Sequence, residues 1–141
     1  MSSIEDGFMR LLELMARVLG AYLNKLIGLK QISPEQARLY ANECLQTELN
    51  LSVKDLSEIS NETFVKQLID KKYNSNHLEL LTKFIYETAE IVEDSEEAKR
   101  LFNKAKFLLM YISEKDKTLS IERNKQLKRI DEILLIKHTV S

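Results

Sequence analysis

One short segment of this chain predicts a helix that packs closely against a second helix. Asp94 or Ser95 can cap its start, and two glutamates follow in the first turn, where the helix dipole favours negative charge. Ala98, Phe102 and Ala105 then recur at steps of four and three, so a small, a large and a small side chain share one face. Small residues let two helices approach, while the aromatic ring fills the space between them. The segment therefore indicates a tightly packed helical pair.

The scarcity of glycine and proline indicates that the rest of the chain is helical as well. Only three glycines and one proline occur in 141 residues, whereas sandwiches and barrels need many more for their tight turns. No β-branched run alternates for long, so strand signals are weak. We therefore expect an all-α fold, an antiparallel bundle of about five to seven helices.

Apolar periodicity and capping residues place the expected helices. Ser33 can cap a helix that has Pro34 in its first position, and Gln36 would complete a capping box. Gly28 is the expected end of the preceding helix, and residues 116–120 should separate the last two helices. The expected helices are residues 4–28, 34–49, 52–59, 61–71, 76–92, 95–115 and a last one ending near 136.

The first helix carries more apolar surface than one packing face requires. Such a helix lies either at the centre of a bundle or against a partner chain. Met9 and Leu23, on the second of its two apolar faces, are the candidate dimer residues. The first face is Phe8, Leu11, Leu12, Met15, Leu19, Tyr22 and Leu26, and the second also contains Ala16 and Ile27.

The chain is expected to form a single helical domain over residues 1–141. No linker rich in proline, glycine or serine divides it, although a soft internal boundary lies near 73–76 and residues 137–141 should fray. Its single cysteine, Cys44, shares a helical face with apolar neighbours and is expected to be a small buried hydrophobe. The chain has no cysteine pair, and no apolar run is long enough for a signal peptide or a membrane span. We therefore expect a cytoplasmic protein with no membrane partner.

Residues 80–112 resemble a tetratricopeptide-type helical hairpin. In that family an acidic helix start leads to a packed alanine, an aromatic residue and a second alanine, the positions of Ala98, Phe102 and Ala105. Ala89 corresponds to the small residue of the family's first helix, but the connection to Ala98 is about three residues shorter than in the standard repeat. No proline follows the second helix, and no second copy occurs at the family's repeat length. The resemblance implies one degenerate C-terminal hairpin and, by analogy, a protein-binding scaffold.

No recognised catalytic or metal-binding motif occurs in the sequence. The two histidines, His77 and His138, stand apart, and no Cys/His cluster has zinc spacing. The acids between residues 87 and 97 lack the Glu-x-x-His pair of di-iron bundles. There is no glycine-rich phosphate loop, nucleophile elbow or kinase signature. We therefore expect no enzyme activity, no metal and no cofactor.

Charge is unevenly distributed although the net charge is only −1. Residues 87–97 carry six acids and no base, and residues 99–129 carry ten bases against three acids. A basic patch for an acidic partner is one interpretation. We favour the other, in which acids at a helix start and bases further along are ordinary features of solvated helices. No exposed aromatics interleave with the bases, so nucleic-acid binding is not expected.

The function we favour is a non-catalytic domain that works through protein–protein contact, with a second copy of the chain as one candidate partner. Its basis is the first helix with two apolar faces and the hairpin that resembles interaction repeats. The surface candidates for partner contact, on the hairpin and the last helix, are Lys83, Tyr86, Arg123 and Lys128. The alternatives are a bundle that binds a small molecule or lipid, or an enzyme whose site is assembled without a motif. Both alternatives require a cavity.

Overall fold

The computed structural model describes residues 3–117 and 120–140, with side chains from 4 to 117 and from 120 to 136. These residues form seven helices and no strand, so the expected all-α fold is confirmed. The helices are α1 (Ser3–Ile32), α2 (Pro34–Leu49), α3 (Val53–Glu58), α4 (Asn61–Asp70), α5 (Ser75–Ile91), α6 (Ser95–Asp116) and α7 (Ile121–Val140).

Helix α5 lies at the centre of the bundle. It packs against α1, α2 and α6, and ion pairs join it to α7. Its first turn reaches Leu12 of α1 and its last turns reach Lys30, so α1 and α5 run in the same direction. Arg38, near the start of α2, donates to the carbonyl oxygen of Ile91 at the end of α5, so α2 runs the opposite way. The core is therefore arranged around α5.

Helix α6 returns antiparallel to α5, and the two form the most extensive helix pair. The hydroxyl of Ser75, at the start of α5, donates to the carboxylate of Asp116 at the end of α6. Nearer the other end, the rings of Tyr86 and Phe102 meet edge to face with 5.5 Å between their centroids. α7 then folds back along α6. The five long helices thus alternate in direction along the chain.

Capping side chains fix where most of the helices begin. Each accepts a hydrogen bond from a backbone N–H in the first turn of the helix that follows. These residues are Ser33, Ser52, Ser60, Asn74 and Asp94. At Ser33 the expected capping box is not completed by Gln36, because the N–H of Ser33 donates to the carbonyl oxygen of Leu29 in α1.

Helix α1 passes through Gly28, where the sequence predicts its end, and continues to Ile32. Leu29 packs on the core, and Lys30 pairs with Glu87 and Glu90 of α5. Burial lowers the pKa of Lys30, but its hydrogen bonds to the two carboxylates outweigh that effect and the pKa is raised. These contacts with distant residues hold one more helical turn than the local sequence indicates. The predicted end at Gly28 is therefore wrong.

The apolar stripe predicted for α6 is buried in full. It faces α5, where Ala89 is buried as well, so small residues line both sides of this contact. The last helix contributes Ile130 to the core and packs three half-buried apolar residues beside it. The buried stripe of α6 is Ala98, Leu101, Phe102, Ala105, Leu108, Leu109 and Ile112.

The connection between α4 and α5 falls at the soft boundary predicted near 73–76. Lys71 caps the end of α4, Lys72 adopts a left-handed φ of 60°, and Asn74 caps α5. At the other end of the chain the backbone of α7 is helical to Val140. Ser141 and the side chains of residues 137–140 lie outside the described residues, so fraying of 137–141 stays a prediction, as does the single domain.

Candidate interaction surface

The first half of α1 differs from the other long helices in the described part of the chain, because none of its residues is fully buried and only Met15, near its end, packs against the core. We call residues 4–18 the α1 arm; each of them is exposed or half-buried. Further along, Leu19, Leu23 and Leu26 enter the core. The apolar stripe that the sequence shows along α1 therefore has two parts, a buried C-terminal part and an outward-facing N-terminal part.

The arm projects because both helices that pack on α1 stop short of its tip. α2 begins one residue after α1 and runs back along it as far as Tyr22. There Tyr22 and Glu48, which lies near the end of α2, line one small cavity. α5 begins beside Leu12, whose carbonyl oxygen lies 2.8 Å from the imidazole of His77. At 1.5 Å per residue, residues 4–11 extend roughly 12 Å beyond that point.

The arm is amphipathic, and the described residues leave most of its apolar face uncovered, covering only its base in part, at Met15 and Val18. Four of its large apolar side chains, at Ile4, Phe8, Leu11 and Leu14, are 50 to 82 % exposed. Five apolar residues recur at steps of four and three, the heptad spacing of paired helices. These five, which we call the apolar seam, are Ile4, Phe8, Leu11, Met15 and Val18. The opposite side carries two acids and two bases at similar steps, Asp6, Arg10, Glu13 and Arg17.

The two residues predicted for a dimer face do not share one surface. Met9 is exposed on the arm, but Leu23 is only 8 % exposed and lies in the core. Leu23 falls on the side of α1 that faces its neighbours, beyond the point where the arm ends. A charge at Leu23 would therefore disrupt the fold, and Leu23 is withdrawn as an interaction residue.

Two of the four candidates for partner contact lie together in a groove between α5 and α7. Lys83 and Tyr86 line this groove, of about 230 Å³, with Gln126 and Arg129 on the facing helix. Glu122 lies 3.6 Å from the ammonium of Lys83, and the guanidinium of Arg129 lies over the Tyr86 ring. Burial raises the pKa of the Tyr86 phenol. Both candidate side chains in this groove thus already contact residues of α7.

The other two candidates are placed apart. Arg123 is 6 % exposed in the first turn of α7, where its guanidinium pairs with Glu79 and Asp116 of the two neighbouring helices. This arginine fastens three helices together, so its prediction as a surface residue is wrong. Lys128 is exposed on α7 and does not line the groove.

A groove with a volume of about 780 Å³ opens to solvent between α2, the start of α3, the end of α5 and the start of α6. Three of its six charged lining residues have structural roles. Arg38 pairs with Glu93 at 2.8 Å, and Asp94 accepts hydrogen bonds from the first turn of α6. No nucleophile stands beside a base among the lining residues. This arrangement is a charged surface groove without evident chemistry.

The interior offers no room for a ligand near the single thiol. The cavity beside Cys44 has a volume of only about 10 Å³, close to the smallest space that holds one water molecule. Cys44 is buried, and burial raises the pKa of its thiol, which makes it a poor nucleophile at neutral pH. The expectation that Cys44 is a buried hydrophobe is confirmed.

Two buried polar residues have structural roles that the sequence did not indicate. Nδ1 of His77 accepts from the N–H of Asn74, so Nε2 carries the proton and donates to Leu12. The ammonium of Lys104 donates to the carbonyl oxygen of Ile59 and to Asn61, and burial lowers its pKa. Each side chain joins its helix to a backbone carbonyl of another segment. These roles could not be predicted from the sequence, because they depend on tertiary contacts and not on neighbouring residues.

Among the described residues, no group of three or more His, Cys, Asp or Glu side chains is arranged to hold a metal ion. None of the helices, as far as they are described, combines the length and apolarity needed to cross a membrane. Comparison with protein-family models, with curated proteins and with solved structures gave no match. The functional argument therefore depends on the surface of the molecule, and the α1 arm is its most distinctive part.

Proposed function

We propose that this chain is a non-catalytic helical domain that works through protein–protein contact, with the α1 arm as its contact surface. The observation that carries the proposal is the projection of an apolar helical face beyond the bundle. Taking about 150–200 Å² for each fully exposed large side chain, Ile4, Phe8, Leu11 and Leu14 leave roughly 400 Å² of apolar area in water. Patches of this size on soluble proteins commonly mark interaction sites.

The arm is suited to binding because the bundle holds its base in place. His77 fastens α1 at Leu12, and Leu19 begins the buried part of the helix. A helix that is already formed and anchored loses less conformational entropy on binding than a disordered segment does. The arm therefore presents a preformed ridge of side chains to a partner.

The α5–α6 pair supports the same proposal by analogy. We infer a tetratricopeptide-like hairpin here, and its support is that Ala98, Phe102 and Ala105 are buried against a helix that itself presents Ala89. Asp94 caps the second helix of the pair, as the acidic start of that family's helix would. Hairpins of this kind serve as scaffolds for protein contact, although a fold does not fix a function.

Site-specific photo-crosslinking in cells that naturally make the protein tests the proposal. A benzophenone amino acid replaces Leu11 on the apolar seam, and a control variant carries it in place of Glu13 on the charged side of the arm. We expect a protein adduct, identified by mass spectrometry, from position 11 and none from position 13. Equal adducts from both positions, or none from position 11, would contradict the proposal.

A further inference from the structure

We infer that the partner of the α1 arm is the arm of a second copy of this chain, with the two apolar seams packed antiparallel about Leu11. This inference rests on the proposed function and specifies the partner. In such a pair Leu11 meets Leu11 of the second copy, and Ile4 at one tip meets Val18 at the base of the other. The same residues serve on both sides, as twofold symmetry requires.

The spacing of the seam favours a helix as the occupant. Ile4, Phe8, Leu11, Met15 and Val18 follow the alternating steps that keep one line of side chains facing a partner helix. Gly7 lies beside this line, and a Cβ added there would meet no atom of the described chain within 4 Å. The copy's Met15 would lie opposite Gly7 in the pairing centred on Leu11, where the missing side chain leaves room for it.

The area available is that of a weak dimer. The four exposed side chains supply roughly 400 Å² per chain. Half-buried Met15 and Val18 at the base of the arm add to this contact, which stays below the ~800 Å² per partner of a standard interface. We therefore expect a weak equilibrium dimer that is populated at high micromolar concentration.

Charge favours a second copy over a lipid surface. The side of the arm opposite the seam carries Asp6 and Glu13 with Arg10 and Arg17, so its acids and bases cancel. Helices that lie on anionic membranes have an excess of bases on their polar face, which this arm lacks. A second copy carries the same balance of acids and bases on its arm, so the two arms do not repel each other.

The antiparallel direction follows from where the bundles begin. Each bundle contacts α1 from Leu12 onward and buries it from Leu19, so a parallel pair would force the two bundles side by side. In the antiparallel pair the bundles lie at opposite ends of the joined arms. The tip of each arm then reaches the half-buried residues at the base of the other.

The first experiment measures mass in solution by light scattering and sedimentation at high micromolar concentration. We expect the wild-type chain to have about twice its 16.4 kDa mass. Leu11→Glu should give a monomer with unchanged helicity. Met9→Glu is the matched control. The sequence predicts Met9 on the dimer face, but in the structure it projects about 160° away from Leu11 around the helix and lies off the apolar seam, although it is equally exposed. A monomeric wild type, or a dimer that survives Leu11→Glu, would overturn the inference.

Single cysteines test the direction of pairing in a Cys44→Ser background. Leu11→Cys should oxidise to a disulfide-linked dimer, because the two Cα atoms lie close together at the centre of the pair. Ile4→Cys alone should not crosslink, but a mixture of the Ile4→Cys and Val18→Cys chains should. Efficient crosslinking of Ile4→Cys with itself would show a parallel pair and reject the proposed arrangement.

Failure of this inference can be distinguished from failure of the proposed function. If the chain is monomeric and position 11 crosslinks in cells to a different protein, the self-association is wrong and the interaction function stands. If the monomer instead binds vesicles of anionic lipid and Leu11→Glu abolishes that binding, the occupant is a membrane surface and both proposals fail.

Discussion

The Nε2 atom of His77, in the first turn of α5, donates a hydrogen bond of 2.8 Å to the carbonyl oxygen of Leu12 in α1. The other ring nitrogen accepts from the N–H of Asn74, the residue that caps α5. One buried imidazole thus fixes the start of the central helix and the point at which α1 leaves the bundle. Because both nitrogens bind backbone groups, the ring is held in a single tautomer.

His77→Ala should lower the free energy of unfolding, because it leaves the N–H of Asn74 and the carbonyl of Leu12 without this partner. An unsatisfied buried polar group costs about 1–3 kcal/mol. Urea denaturation at one fixed protein concentration measures the change. Asn76→Ala, an exposed position in the same turn, is the control and should be near neutral. Equal midpoints for the two variants would show that the imidazole does not stabilise the fold.

Phe102→Ala should be among the most damaging single changes in the chain. Phe102 is 2 % exposed and its ring meets Tyr86 edge to face, so its removal leaves a cavity between α5 and α6. The expected cost is about 3–5 kcal/mol in the free energy of unfolding. Asn103→Ala, at the exposed neighbouring position, should change stability little. A small effect at Phe102 would contradict the close packing of this helix pair.

Ala98→Leu tests the same contact from the opposite direction, by adding volume. Ala98 is 1 % exposed against α5, and extra methyl groups there must displace the neighbouring helix or adopt a strained rotamer. We expect a loss of about 1–3 kcal/mol. The matched change Arg100→Leu places the same side chain on the exposed side of α6. If both leucines are tolerated equally, the α5–α6 contact is looser than described.

Asp94 gives the fold a dependence on acidic pH. Its carboxylate accepts hydrogen bonds from the N–H groups of Glu97 and Glu96, which lower its pKa below the ordinary 3.8. A lowered pKa in the folded state contributes stability that is fully present above pH 3.8 and is lost as pH falls through the folded-state pKa. Asp94→Asn retains a cap but does not titrate. The stability difference between wild type and Asp94→Asn should therefore be constant at neutral pH and shrink under acid.

The control for this pH prediction is Glu114→Gln, an exposed change near the opposite end of α6. Removing a negative charge there should not weaken the helix, because the dipole favours bases at that end. Thermal unfolding of the three proteins across a pH series makes the comparison. A difference between wild type and Asp94→Asn that grows under acid would contradict the assigned role of the carboxylate.

Helix positions could be predicted from the sequence because their signals are local. Ser52, Asn74 and Asp94 cap helices through bonds to residues two or three positions away, and the apolar stripe of α6 repeats within one helix. The end of α1 could not be predicted in this way. Lys30 extends α1 past Gly28 by pairing with carboxylates of α5, which stand 57 and 60 residues further along the chain.

The same reasoning explains which surface residues were misplaced. Arg123 and Leu23 are of types that occur at interfaces, but burial depends on which other helix lies against them. Arg123 is buried because two acids from neighbouring helices neutralise it, and Lys104 because a carbonyl and an amide accept from it. The sequence indicated the arm only as surplus apolar surface on the first helix. Its location became clear once the lengths of α2 and α5 were known.

The buried thiol of Cys44 allows the local opening of the unmodified protein to be measured by chemical labelling. Cys44, on α2, is enclosed by Leu19 and Tyr22 of α1 and by Leu81 and Phe84 of α5, so a maleimide reaches it when these helices separate. The labelling rate of the wild-type chain therefore measures how often α2 separates from α1 and α5, with no reporter group added. If two chains join through their arms, that rate should fall as protein concentration rises.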